Sequence, residues 1–309
     1  MTSRTIAAQT TGPVTIDAAL LGHHGTITVR TDSGCERATV TITTADENGA
    51  AADAVKQATL RPSGTGGVVA SVEGRGGSGG GTTVITGGGV QSIVRGNMGS
   101  TIVISGGNIS GGNISGGGDV VINGVRITGN SGSTVVQGGS PIEITAIVPE
   151  GSSLVGRTHS ADIETLGNLL NVGGHTQSGD LRVTSASQVV ASTQSGDVRV
   201  EVAENIAVKT QSGDIRLGRT DVVEASAMSG DINIADFGGS ARLKTMSGDV
   251  EVHATAGGDL SVTTMSGDID VTATQAALDG DLDVITSSMS GRVRAPQRRM
   301  GGSQPRRRR

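Results

Sequence analysis

Six exact copies of Ser-Gly-Asp begin at Ser178, Ser195, Ser212, Ser229, Ser247 and Ser266, separated by 17, 17, 17, 18 and 19 residues. Degenerate copies, Ser160-Ala161-Asp162 and Ser290-Gly291-Arg292, flank them. A repeat at so short and steady a period marks an architecture in which each unit buries its apolar face only against its neighbours. The period suits one solenoid coil of two strands and two turns.

Aligned on the repeat, the coils show columns. Each Asp is followed by an apolar residue, a variable polar residue and a second apolar residue, as in Leu181-Arg182-Val183 and Ile269-Asp270-Val271. Side chains alternate across a strand, so both apolar columns point inward and the intervening one outward. Later in each coil Val189 and Ala191, Ile206 and Val208, Val223 and Ala225, and Leu260 and Val262 obey the same rule. Thr176, Thr193, Thr210, Thr245 and Thr264 close the coils, where stacked hydroxyls are expected to hydrogen-bond along the axis. Composition agrees: Trp and Tyr are absent and Phe237 is the only aromatic residue, so the core must be a stack of thin aliphatic layers.

The fold class read from these patterns is all-β, a β-helix-like β-solenoid of 17–19-residue coils preceded by an N-terminal β unit and a Gly-rich β insertion. The N-terminal β unit is placed at 1–72, with alternating strands at 14–18, 26–30 and 38–43 and a short helix within 51–60. The low-complexity insertion is placed at 73–140; from residue 64 to residue 139 the chain holds 26 of its 51 glycines. Short β-rich bursts interrupt it at 82–86, 101–105 and 119–128, the last with Asn123-Gly124 as a hairpin turn. The solenoid occupies 141–296, and 297–309 reads as a basic disordered tail.

Outward columns change character midway. Arg182, Arg199 and Arg216 give way to Asn233, Glu251 and Asp270, and Gln177, Gln194 and Gln211 to Met228, Met246, Met265 and Met289. Eight of the 24 Lys and Arg residues lie between Arg292 and Arg309, which leaves the body of the chain acidic. Nucleic acid or an acidic partner is expected only through Arg306, Arg307, Arg308 and Arg309. The lone Cys35 permits no intramolecular disulfide framework. The sequence shows no export signal and no apolar run of about 20 residues, so a cytoplasmic location is expected for the chain as written, or the cell surface if its start lies further upstream.

The Ser-Gly-Asp-(Ile/Val/Leu)-x-(Val/Ile) repeats from 178 to 271, the strand at 142–148 and the turn Pro149-Glu150-Gly151-Ser152-Ser153 resemble the bacterial "putative adhesin" family of β-strand repeat proteins, a domain of unknown function. The opening Gly12-Pro13-Val14 strand is similar as well, and the insertion at 74–140 departs from the pattern. The resemblance implies the repeat fold and a surface role.

Candidate chemistry centres on the Asp column. Carboxylates on neighbouring coils, about 4.8 Å apart, repel by about 1 kcal/mol even in water-like surroundings, so something must offset the charge. The expected answer is an Asx-type cap, each Asp accepting backbone N–H groups of its own turn. The alternative is a cation ladder over Asp180, Asp197, Asp214, Asp231, Asp249 and Asp268, although the Gly-Gly-x-Gly-x-Asp spacing of calcium-binding solenoids is missing. Catalytic and cofactor sites are expected to be none. Gly74-x-Gly76-x-x-Gly79 and Ser78 match nucleotide and nucleophile motifs by letter, inside a glycine-saturated stretch. The five histidines lack metal spacing. Asp249, Glu251, Asp268 and Asp270 form the one acidic cluster that a β-helix polysaccharide-processing enzyme could use, without the aromatic platforms such grooves carry. The reading is a non-enzymatic structural or interaction rod that displays side-chain ladders to a protein or surface polymer. A cytoplasmic polymerising scaffold stands as the alternative, opposed by the charged and proline-containing end Arg292-Val293-Arg294-Ala295-Pro296.

Overall fold

The structure, a computed structural model, describes residues 1–64, 66–73 and 140–296, together with the backbone of four short strands between them. Strands β1 (Thr2–Ala7), β2 (Thr15–Leu21), β3 (Gly25–Thr31) and β4 (Thr39–Thr44) precede helix α1 (Ala50–Gln57), β5 (Thr59–Pro62) and β6 (Val68–Glu73). The short strands β7 (Thr83–Thr86), β8 (Ile102–Ser105), β9 (Val120–Ile122) and β10 (Val125–Ile127) form a separate sheet, parallel except for the antiparallel pair β9–β10. That pair spans the expected hairpin, whose Asn123-Gly124 turn lies outside the described residues, as do Gly74, Gly76, Ser78, Gly79 and Arg306 to Arg309.

From residue 142 the coils follow: β11 (Ile142–Val148), β12 (Ser153–Thr158), β13 (Asp162–Thr176), β14 (Leu181–Thr193), β15 (Val198–Thr210), β16 (Ile215–Ser229), β17 (Ile232–Ser247) and β18 (Val250–Ser266). Strand β19 (Ile269–Ala273), helix α2 (Gln275–Asp279), β20 (Leu282–Ser290) and β21 (Val293–Arg294) complete the described chain. Each of β13 to β18 bends at its middle and so contributes a limb to two faces. One face runs β1-β4-β11-β3-β13 and on through β18 to β19 and β21. The other runs β5-β6-β2-β12-β13 and on through β18 to β20. The molecule is a β-solenoid whose inner space is one aliphatic core.

The inward columns are those the alternation dictates. Leu181 and Val183, Ile215 and Leu217, Val189 and Ala191, and Leu260 and Val262 are all at most 3% exposed. Between the limbs the phase slips, and a corner column of Ala186, Ala203, Thr220, Phe237 and Ala254 also points inward. Phe237 is wholly buried, and the strand pairing shifts register beside it on both neighbouring coils. Gly238 and Gly239 follow the ring at the bend, in the 18-residue coil from Ser229 to Ser247.

Residues 1–73 are woven into the solenoid. Strand β3 lies between β11 and β13 on one face, and β2 lies between β6 and β12 on the other. Ile16, Ala18, Leu20, Ile27 and Val29 thereby join the same core as the repeats. Helix α1, shorter than the 51–60 window, buries Ala51, Ala52 and Val55 against this end. At the far end α2, with Thr274 as its N-cap, buries Ala277. In the β2–β3 turn His23 is buried, and burial first and neighbouring His24 second hold its imidazole below the usual histidine range.

The repeat glycine has a specific cause. A Cβ on Gly196, Gly213, Gly230, Gly248 or Gly267 would fall closer than 3.0 Å to the backbone carbonyl oxygen of the equivalent glycine one coil earlier. The turns stack backbone on backbone, with no room for a side chain. Gly213→Ala is therefore expected to cost about 2 kcal/mol or more in urea unfolding, whereas Gly64→Ala, which meets nothing within 4 Å, should be close to neutral. The lowered His23 value sets a pH dependence: stability should be flat above about pH 6.5 and fall below it, because the unfolded chain takes up the proton first. Thermal midpoints recorded from pH 8 to 5 check this, and His23→Gln should flatten the acid side.

Candidate functional site

The stacked Ser-Gly-Asp turns build an unbroken polar ladder. Oδ1 of Asp162 accepts the backbone N–H of Asp180 at 2.9 Å, Oδ1 of Asp180 that of Asp197 at 3.0 Å, and Oδ1 of Asp197 that of Asp214 at 2.9 Å. The series continues through Asp231, Asp249 and Asp268 and ends where Asp268 accepts the N–H of Arg292 at 2.8 Å. The own-turn cap expected for these carboxylates is thus replaced by a bond to the next coil. The Thr column makes the opposite exchange. Thr176 and Thr193 Oγ1 accept the N–H of Gly179 and Gly196 in their own turns, while the buried hydroxyls of Thr210, Thr245 and Thr264 make no hydrogen bond. Geometry explains both. Asp sits at the start of an outward limb where the next coil's amide lies one inter-strand step away, and Thr points inward beneath the glycine amide of its own turn.

The second oxygen of each Asp faces outward. Arg182 places its guanidinium 2.7 Å from Asp180 Oδ2 and 3.9 Å from Asp162 Oδ2; Arg216 spans Asp214 at 2.7 Å and Asp197 at 3.3 Å. These bridges across coils offset the carboxylate repulsion in the first half of the ladder. No such Arg stands beside Asp231 or Asp249, where the column carries Asn233 and Glu251, joined by a 2.8 Å hydrogen bond from Asn233 Nδ2. The turn changes at the same point. Up to Ser229 the serine N–H donates to the residue one coil earlier, as Ser212 does to Gln194; from Gly230 onward the glycine N–H donates to the serine one coil later. The exchange of Gln for Met accompanies this change, and Met228, Met246, Met265 and Met289 are each about half exposed or more.

Among the described residues, no group of three or more His, Cys, Asp or Glu side chains is placed to hold a metal ion. The cluster of Asp249, Glu251, Asp268 and Asp270 lies on the outer surface of the first limb, with Asp268 and Asp270 each 3.6 Å from Arg292 and Arg294. A groove of about 460 Å³ lies elsewhere, on the outer surface of the second limb, and runs across successive coils past Gln188, Asn205, Val222, Asp259 and Asp283. Its residues carry no motif. Their offset from the preceding ladder Asp grows from eight residues at Gln188, Asn205 and Val222 to ten at Asp259 and fifteen at Asp283, so they line up only through the strand register. At the bend between limbs, Asp236 accepts hydrogen bonds from Thr255 Oγ1 and from Arg219 Nε, the latter at 2.9 Å, and these two partners hold its carboxyl below the usual range.

The sequence model of the family described as Toastrack DUF4097 matches residues 143–307, just over half of the chain. A solved structure described as a "putative adhesin" from Bacteroides fragilis aligns over 94% of this chain and 95% of its own, with 12% identity and a TM-score of 0.40. No curated protein matches the sequence. No helix among the described residues is long and apolar enough to cross a membrane.

The ladder predicts a difference between two substitutions. Asp197→Ala removes the acceptor of the Asp214 amide and should cost about 1 kcal/mol in urea unfolding. Asp197→Asn keeps that acceptor and should cost clearly less. Equal losses would mean that the charge, not the hydrogen bond, is what the fold uses.

Proposed function

The chain belongs to the Toastrack DUF4097 family, and on that premise we propose that it is a non-enzymatic interaction protein, an adhesin-like rod that presents repeated side chains to a protein or a surface polymer. The observation that carries this reading is the register. Equivalent outward residues are hydrogen-bonded neighbours on consecutive coils, as in Arg182, Arg199 and Arg216 or Gln188 and Asn205. A ligand with its own repeat therefore meets the same contact several times, and weak contacts multiply into useful avidity. The rigidity of the stacked turns supports this role, since little order must be gained on binding. The acids of the first limb stand on an open surface rather than in a groove, which favours binding over acid–base chemistry.

A second reading, a scaffold that polymerises end to end, draws on the terminal coil. There Ile285 and Met289 are 65% and 80% exposed, and among the described residues β20 pairs with β18 alone along its length. Such an edge is a template for another strand.

The test is a screen of the full chain against arrayed polysaccharides and peptides, followed by removal of rungs from the display face. Binding to a repetitive ligand should weaken stepwise as Gln177, Gln194 and Gln211 are replaced in turn by Ala. Turnover of a ligand would overturn the reading, and light scattering that shows open-ended growth with concentration would favour the scaffold.

A further inference from the structure

Apart from its central pair, Arg216 and Asn233, the outward column of the first limb reads the same, with charges exchanged, from either end. In hydrogen-bonded register it runs Glu164, Arg182, Arg199, Arg216, then Asn233, Glu251, Asp270 and Arg294. A two-fold axis parallel to the strands, passing between the Arg216 and Asn233 coils, would bring two copies face to face with their solenoid axes antiparallel. It would set Glu164 opposite Arg294 of the second copy, Arg182 opposite Asp270, Arg199 opposite Glu251, and Arg216 opposite Asn233. Three of the four pairs bring opposite charges together, and Arg216 meets the neutral Asn233. In the adjoining outward column Glu201 would face His253, and the small residues Gly218 and Ala235 would meet at the centre, leaving room for close approach.

We infer that this face is an interaction surface for a second copy of the chain, forming a two-fold antiparallel dimer held by complementary charge. A two-fold contact requires a self-complementary patch, which this column supplies across eight successive coils. The central pair is also the least satisfied within one chain. Among the described residues Arg199 is exposed and has no ion-pair partner, and Glu251 is exposed and bonded only to the neutral Asn233. The same axis sets the ladder residues Asp197 opposite Asp249 and Asp214 opposite Asp231, and three features limit that repulsion. Each already holds an amide through Oδ1, in the Arg-bearing half Arg182 and Arg216 pair the outer oxygens, and the column lies at the turn along the margin of the face. Eight coils about 4.8 Å apart span roughly 34 Å. A narrow face of that length makes a modest interface, so the dimer is weak and sensitive to salt. The inference does not depend on the display role, because it concerns the chain's contact with itself.

Sedimentation velocity on the full chain, up to about 0.5 mM at low ionic strength, reads the equilibrium. A dimer should form and should weaken as salt is raised. Arg199→Glu alone and Glu251→Arg alone should each raise Kd by about tenfold or more, because each change is felt at two symmetry-related contacts. The double variant restores opposite charges across the axis and should return Kd to near the wild-type value. Thermal midpoints confirm that all variants fold, which is expected of exposed positions. A chain that stays monomeric throughout, a dimer indifferent to the single reversals, or a folded double variant without recovery each overturns the inference. A closed dimer also differs from the open-ended growth of an end-to-end scaffold, so the two associations separate in one concentration series.

Discussion

One hydrogen bond, repeated along the axis, holds the register on which the rest of the structure depends: Asp Oδ1 accepts the amide of the residue one coil on. A turn between parallel strands leaves backbone donors without ladder partners, and buried or crowded donors must be satisfied. A side-chain carboxylate satisfies them here while pointing outward, so the turn can stack at the same spacing as the strands. The glycine before it is the counterpart, because any Cβ would drive into the carbonyl below. Together the two residues leave almost no freedom to slide one coil against the next.

That register explains how a chain with one aromatic residue builds a stable interior. Each layer contributes small inward groups, and the same positions recur above and below, so Val, Ile, Leu and Ala pack at short range without large rings. Where a ring does occur, at Phe237, the strand pairing shifts register on both neighbouring coils, and the inward columns continue on either side. The N-terminal strands extend the same core, and α1 and α2 cover apolar surface at the two ends. A solenoid needs such ends, since its last coils have no neighbour to bury against.

The surface inherits the register as well. A charge on one coil is a neighbour of the charge on the next, so a column acts as a unit whether it bridges carboxylates within the chain, as Arg182 and Arg216 do, or faces a second molecule. The Toastrack DUF4097 family supplies the scaffold, and the outward columns are where this chain's own sequence sets the charge and polarity of its surface.

By itself the sequence determined the period, the identity of the inward columns and the change of surface from Arg and Gln to acid and Met. These follow from the alternation of side chains along a strand and from turn residues at fixed spacing, which are local properties. Only the tertiary structure decided that β3 enters between β11 and β13, a pairing between Thr28 and Thr145 across more than a hundred residues for which no local pattern codes. It also decided which way the turn side chains bond: the Asp column bonds to the next coil rather than its own turn, and of the Thr column only Thr176 and Thr193 bond, within their own turns. Both residues can accept from their own turn or from the next coil, and the choice is made by which amide the stacked backbone leaves open. The groove past Asn205 and Asp259, likewise, exists only because distant residues are brought side by side, and proximity of that kind is created by packing rather than written in the order of the chain.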